Sequence, residues 1–167
     1  MKNQINIIFL VLGLTSFFCL DMHAQIFQKG DIVAHAGIGL GSTYSFGGLG
    51  LPLGGGVEFG VTDNIGVGGD VGFVSASGLT IFYIGPKGYY HFNDLLNLDS
   101  EELDVYGGIS ILYRNFSVGD GIFGVTASGI YPGFHVGGRY FFSENLGAYA
   151  ELGNSYGWLK VGVCLKL

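Results

Sequence analysis

The sequence predicts an all-β fold, an eight-stranded antiparallel up-and-down transmembrane β-barrel, on three observations. The first is composition. The 167 residues include 32 glycines, 15% aromatics and only 12% charged residues, against usual shares of about 7% glycine and about 25% charged. The second is periodicity: eight segments alternate with period two, and none carries a long helical period. The third is the character of the two faces. One face of each segment is apolar, and the other is glycine with isolated charges of both signs.

The chain begins with an address rather than a fold. Lys2 is followed by a run from Ile5 to Leu20 that is almost wholly apolar, then by Asp21-Met22-His23-Ala24-Gln25. The run is short for a spanning helix, and small Ala24 suits cleavage before Gln25. Residues 1–24 are therefore expected to be a signal peptide and residues 25–167 a single barrel domain, exported to the cell outer membrane of a gram-negative cell. Cys19 leaves with the leader, and Phe17 and Phe18 before it do not form a lipidation site. The remaining Cys164 has no partner for an internal disulfide, and no C-x-x-C metal pattern exists. Proline numbers only 3, which excludes a disordered Pro/Gly polymer. The net charge is −6 with no basic run, so a nucleic-acid partner finds no electrostatic footprint.

The strands follow in order. Ile32, Ala34, Ala36, Ile38 and Leu40 alternate with Val33, His35 and glycines, and Leu51, Leu53, Val57, Phe59 and Val61 oppose Glu58 and glycines. Ile65, Val67, Val71 and Phe73 oppose Asp70, while Phe82, Ile84, Tyr90 and Phe92 oppose Tyr83, Lys87 and His91. Val105, Ile109, Ile111 and Tyr113 oppose Asp104, Tyr106 and Arg114, and Phe134, Val136, Tyr140 and Phe142 oppose His135 and Arg139. Ala148, Ala150 and Leu152 oppose Tyr149 and Glu151, and the last strand sets Leu159, Val161, Val163, Leu165 and Leu167 against Lys160, Cys164 and Lys166. Each segment is about ten residues, the length of a tilted transmembrane strand. A soluble sheet needs a densely polar outer face, which is lacking here. The sparse charges suit the interior of a narrow eight-stranded barrel, which side chains fill, and the apolar face then meets lipid.

The links give an orientation. Thr62-Asp63-Asn64 and Ser143-Glu144-Asn145 are tight and polar, as periplasmic turns are. Longer links, Ser42 to Gly50 and Phe116 to Ala127, would face outward, with shorter ones near Ser77-Gly78 and from Asn154 to Tyr156. Asn93 to Leu103 is long for a periplasmic turn and acidic, with Asp94, Asp99, Glu101 and Glu102, and is expected to be solvated and to contain a helical turn. Tyr90, Phe92, Tyr140 and Phe142 fall at periplasmic strand ends on the lipid face, where an interfacial aromatic girdle belongs.

Three stretches, His135 to Phe142, Ala148 to Gly153 and Val161 to Leu167, resemble the closing strands of small OmpA/OmpX-like outer-membrane β-barrel domains. Ile84 to Phe92 is similar to their fourth strand. The resemblance implies outer-membrane lipids as surroundings and the barrel-assembly machinery as a partner during biogenesis. That machinery reads the C-terminal residue, usually aromatic in this family and here Leu167, so the insertion signal departs from the pattern.

The best constellation of chemistry is inward. Glu58, Asp70, Lys87, Arg114, Arg139 and Glu151 are expected to form a structural charge network, because an unpaired charge in a poorly hydrated lumen is costly. Asp104 and Lys160 share that facing. Arg139 and Glu151, on adjacent strands, are expected to pair. His35, His91 and His135 also face inward, but His135 should lie at a different depth, which disfavours a metal site; no metal or other cofactor is expected. No Ser/His/Glu set meets on the lipid face, so no enzyme activity is expected. Gly119-Asp120-Gly121-Ile122-Phe123-Gly124 matches G-x-G-x-x-G but lacks the following helix that a dinucleotide site requires. Cys164 reads as an inward filler. The resulting expectation is a small integral outer-membrane barrel with a structural or surface-interaction role and a filled lumen, its surface partner unidentified. The alternatives are a soluble carrier of an apolar ligand, which requires Val136, Tyr140, Val161 and Val163 to point inward, and a lipid-modifying outer-membrane enzyme.

Overall fold

The computed structural model describes residues 26–41, 50–76, 78–98, 100–118 and 125–167. The expected signal peptide and the glycine-rich stretch 119–124 lie outside the described residues, as does 42–49. The elements are β1 (Ile32–Leu40), β2 (Leu53–Gly60), β3 (Ile65–Ala76), β4 (Leu79–His91), β5 (Leu103–Val118), β6 (Val125–Phe141), β7 (Leu146–Gly153) and β8 (Leu159–Lys166). Each pairs antiparallel with its sequence neighbours, and β1 pairs with β8, so the sheet closes on itself as an eight-stranded barrel. Closure leaves no edge along the wall.

Period-two patterning sorts the side chains as expected. Along β7 burial alternates residue by residue, with Gly147, Tyr149, Glu151 and Gly153 in and Leu146, Ala148, Ala150 and Leu152 out. The sense of the sorting is inverted relative to a soluble protein. Glu58, Asp70, Lys87, Asp104, Arg139, Glu151 and Lys160 are all buried, whereas Ile109 is 73% and Val136 51% exposed. Charged residues are almost never buried in this way unless paired.

Residues 26–31 and the end of β8 lie at one mouth, the terminal mouth, together with the turns 61–64 and 142–145. At this end the Gly30 amide donates to the Gly60 carbonyl, the Gly60 amide to the Asp31 carbonyl, and the Lys166 amide to the Asn145 carbonyl. The long β4–β5 link is at the same mouth. It does contain a helical turn: the Leu96 amide donates to Phe92 and that of Leu98 to Asn93. The Asn93 side chain then ties the turn to β5 by accepting from the Val105 amide and donating to Asp104.

One expectation about the links needs correction. The stretch Phe116 to Ala127 is not a loop throughout, since the β5–β6 ladder continues through Phe116↔Ala127 and Ser117↔Thr126 to Val118↔Val125. Alternation of apolar and polar residues marks only the part of a strand that separates two environments, and β-pairing outlasts it. As a result the wall is tall along β3 to β6 and low along β7, β8, β1 and β2.

Strand packing leaves little room at some glycines. A Cβ on inward Gly85 would lie 1.9 Å from the Ile111 carbonyl oxygen of β5, whereas one on Gly88 would meet nothing within 4 Å. Overpacking against backbone costs about 1–3 kcal/mol, so Gly85→Ala is expected to lower the urea midpoint of unfolding clearly. Gly88→Ala should leave it within about 0.5 kcal/mol of the parent.

Candidate functional site: a charge-filled lumen

The interior charges sort into two groups of four. Nearer the terminal mouth stand Glu58 of β2, His91 of β4, Asp104 of β5 and Arg139 of β6. The Arg139 guanidinium donates to Glu58 and, at 3.3 Å, to Asp104. His91 spans the same two carboxylates, its Nδ1 2.7 Å from Asp104 and its Nε2 2.8 Å from Glu58. An imidazole donates from both nitrogens only as the imidazolium, and in that form the group holds two positive and two negative charges.

The second group is Asp70 of β3, Lys87 of β4, Glu151 of β7 and Lys160 of β8. Lys87 Nζ lies 3.2 Å from Asp70 and 3.0 Å from Glu151. Lys160 donates to Glu151 and to Ser155 Oγ, the latter at 2.7 Å, and stands 3.8 Å from Asp70. Tyr106 adds a hydroxyl donor to Glu151 at 3.1 Å. His35 of β1 places Nε2 3.1 Å from Asp70, so this quartet touches the strand that closes the barrel. Among the described residues no ion pair joins the two groups. The Tyr89 ring lies between them, with Lys87 4.8 Å and Arg139 5.7 Å from its centroid, and Arg139 also covers Tyr106 at 4.3 Å.

Register explains which charges meet. Arg139 stands directly opposite Asp104, and Glu151 directly opposite Lys160. The expected Arg139–Glu151 pair does not form, because across β6 and β7 Arg139 faces Tyr149 while Glu151 faces Gly137. Among the described residues Arg114 stands apart from both quartets. It lies farther along β5, donating to the Asn154 carbonyl, with its guanidinium 4.9 Å from the Tyr131 ring and 5.6 Å from Tyr83. The network also takes in Asp104, Lys160 and His91, which were not among its expected members. All three had the right facing, and only register could supply their partners.

Two stoppers were not legible in the strand pattern. Tyr156, in the β7–β8 link, folds into the lumen and exchanges a 3.0 Å hydrogen bond with Tyr149. Its ring occupies space that glycine alone leaves free, since a Cβ on Gly54 would come within 2.5 Å of it and one on Gly72 within 2.8 Å. Phe27, before β1, is buried at the opposite mouth and stacks on His91 at 3.6 Å. Cys164 is buried beside Phe27, Val33, Phe141 and Tyr149. His135 is buried between Tyr89 and Tyr106. Among the described residues no group of three or more His, Cys, Asp or Glu side chains is placed to hold a metal.

On the outside, Tyr90, Tyr140 and Phe142 are exposed at the terminal end. Phe92 is half-buried over Gly107 and lies 5.1 Å from the Tyr90 ring. Leu167 is exposed at the end of β8. Val136, Tyr140 and Val163 point outward, and Val161 is half-buried on the same outer face.

A closed eight-stranded barrel with paired charges inside and an apolar belt outside has the architecture of a membrane-spanning β-barrel. Its fold is that of the small OmpA/OmpX-like outer-membrane barrels. It is similar to the N-terminal β-barrel domain of Pseudomonas aeruginosa OprF, with a TM-score of 0.63 at 17% identity over 83% of this chain and 98% of that one. OprG from Pseudomonas aeruginosa gives 0.55 at 12% identity, covering 84% and 97%. Neisserial surface protein A gives 0.52 at 16% identity, covering 82% and 93%. At these identities the likeness is one of fold. The sequence matches no protein-family model and no curated protein.

Breaking a buried ion pair from one side costs about 3–5 kcal/mol because a charge is left uncompensated. Arg139→Met is therefore expected to destabilise the folded barrel by about that much in urea titrations. Lys87→Met should do the same, and removing Glu58 together with Arg139 should recover a large part of the loss.

Proposed function

We propose that this chain is a small integral outer-membrane β-barrel that acts through its outer rim, in a structural or surface-interaction role, rather than by conducting solutes or by catalysis. The observation that carries the reading is the inverted sorting of side chains. An apolar belt runs round the outside, including Phe73, Phe82, Ile84, Ile109, Ile111, Phe134, Val136 and Val163, and in water it would be a patch far beyond what a monomer tolerates. Membrane lipid is the solvent that suits it. The exposed aromatics Tyr90, Tyr140 and Phe142, with half-buried Phe92 beside them, would sit at the inner interface as a girdle. Leu167, exposed at the end of β8, would present the insertion signal to the assembly machinery.

The filled lumen supports the non-conducting part of the reading. Two ion quartets, Tyr156 and Phe27 occupy the space that a pore would need. A carrier of apolar ligands has the opposite requirement, an apolar interior, and the residues that would line it face out. A lipid-facing catalytic set is not assembled among the described residues: His35, His91 and His135 are all buried in the lumen. The tall β3 to β6 side projects beyond the rest of the wall at the mouth opposite residues 26–31 and the end of β8, and it offers the surface through which a partner would be met.

Two measurements test the reading. The precursor expressed in a gram-negative host should fractionate with the outer membrane and change gel mobility on boiling, whereas a soluble periplasmic product without that shift would overturn it. Ile109→Arg places a charge in the middle of the belt, and it is expected to cost about 2–4 kcal/mol in lipid vesicles. A water-facing side chain at this position would tolerate the change within about 0.5 kcal/mol.

A further inference from the structure

Residues 26–31, ahead of β1, cross the mouth of the barrel. Phe27 is inserted, 2% exposed, against Val33, Phe141 and Cys164, with its ring stacked on His91 at 3.6 Å and 12°. The backbone on either side is clasped to the rim. The Gly30 amide donates to the Gly60 carbonyl at 2.9 Å and the Lys29 amide to Asp63 Oδ1 at 3.0 Å, while the Gln28 amide turns the segment on itself by donating to Asp31 Oδ2 at 2.9 Å. Lys166, at the end of β8, holds the segment from the other side through the Ile26 carbonyl at 2.8 Å and Asp31 at 2.7 Å. The rim is shaped for this passage: a Cβ on Gly60 would lie 2.3 Å from the Gln28 carbonyl oxygen. None of these contacts belongs to the strand ladder, which begins at Ile32. Between the two stands Gly30 at φ +93°, with nothing within 4 Å of where a Cβ would be. That is a conformation open to glycine and rare for other residues, in a position free to turn.

We propose that residues 26–29 are a seal over this mouth, hinged at Gly30. Seated, Phe27 shuts the Glu58–His91–Asp104–Arg139 group away from solvent. Lifted about Gly30, the seal opens that group to the solution on this side, while the eight-stranded ladder and the Lys87–Glu151 group beyond Tyr89 stay closed. The barrel therefore has two separate stoppers, and this one can be released without breaking a strand. The inference stands on contacts within the chain and does not depend on which membrane the barrel occupies.

The test is hydrogen exchange on the full folded chain in detergent micelles, comparing the parent with Phe27→Ala and with Gly60→Ala, which displaces the seal from the rim side. In the parent, both His91 ring N–H signals should persist in nitrogen-resolved spectra, and the Gln28, Lys29 and Gly30 amides should be protected. In either variant the His91 ring protons and these amides are expected to exchange at least ~10-fold faster, as for a local opening, with the β5 and β6 amides unchanged. Ring protons as labile in the parent as in the variants would overturn the proposal. Parent amides exchanging at the rate of a free chain would overturn it as well, and that arm holds even if a variant fails to fold.

Discussion

A narrow barrel filled by side chains leaves little room for water, so the carboxylates inside need cations beside them. That constraint organises the molecule. Glu58, Asp70, Asp104 and Glu151 are matched by Arg139, Lys87, Lys160 and the doubly hydrogen-bonded His91. With the His35 contact to Asp70, all eight strands contribute to the network. Replacing such groups by apolar side chains is often neutral or stabilising in a soluble core. In a membrane barrel the charges have another use. With lipid outside, an apolar interior would leave nothing to tell the two faces of a strand apart, and a one-residue slip exchanges those faces. Buried charges penalise that slip heavily, so they fix the register as well as filling the space.

The rest of the structure accommodates this filling. Gly66 is an example: a Cβ there would lie 2.0 Å from Glu58 Oε1, so the carboxylate reaches its partners over a bare backbone. Gly54 and Gly72 make the same kind of space for Tyr156. The high glycine content of the sequence therefore has a spatial cause, in which large inward side chains alternate with positions that have none. Outside the barrel the requirement is only apolarity, and the belt mixes valine, isoleucine, leucine and phenylalanine with no evident preference for shape.

Period two is enforced wherever a strand separates the apolar outer face from the lumen, and for that reason the eight strands, their facing and the inward set of charges were legible in the sequence. Pairing was not. Arg139 and Glu151 share a face on neighbouring strands, yet the register sets Arg139 against Asp104 and Glu151 against Lys160. No alternation pattern contains that offset. The ends of β5 and β6 were also hidden, because above the belt the sequence no longer needs to alternate. Phe27 lies ahead of β1 and Tyr156 in the β7–β8 link, where periodicity says nothing. The only available signals were an isolated aromatic just before Asp31 and another among the small and polar residues Asn154, Ser155 and Gly157.

If the lumen is built as two closed neutral groups, coupling energies should follow the grouping. Double-mutant cycles read from urea unfolding of the barrel in lipid vesicles measure this directly. Glu58 with Arg139, and Lys87 with Glu151, should each show coupling above about 1 kcal/mol. Arg139 with Lys87, on opposite sides of Tyr89, should be additive within about 0.5 kcal/mol. Strong coupling between Arg139 and Lys87, or none between Arg139 and Glu58, would contradict the account.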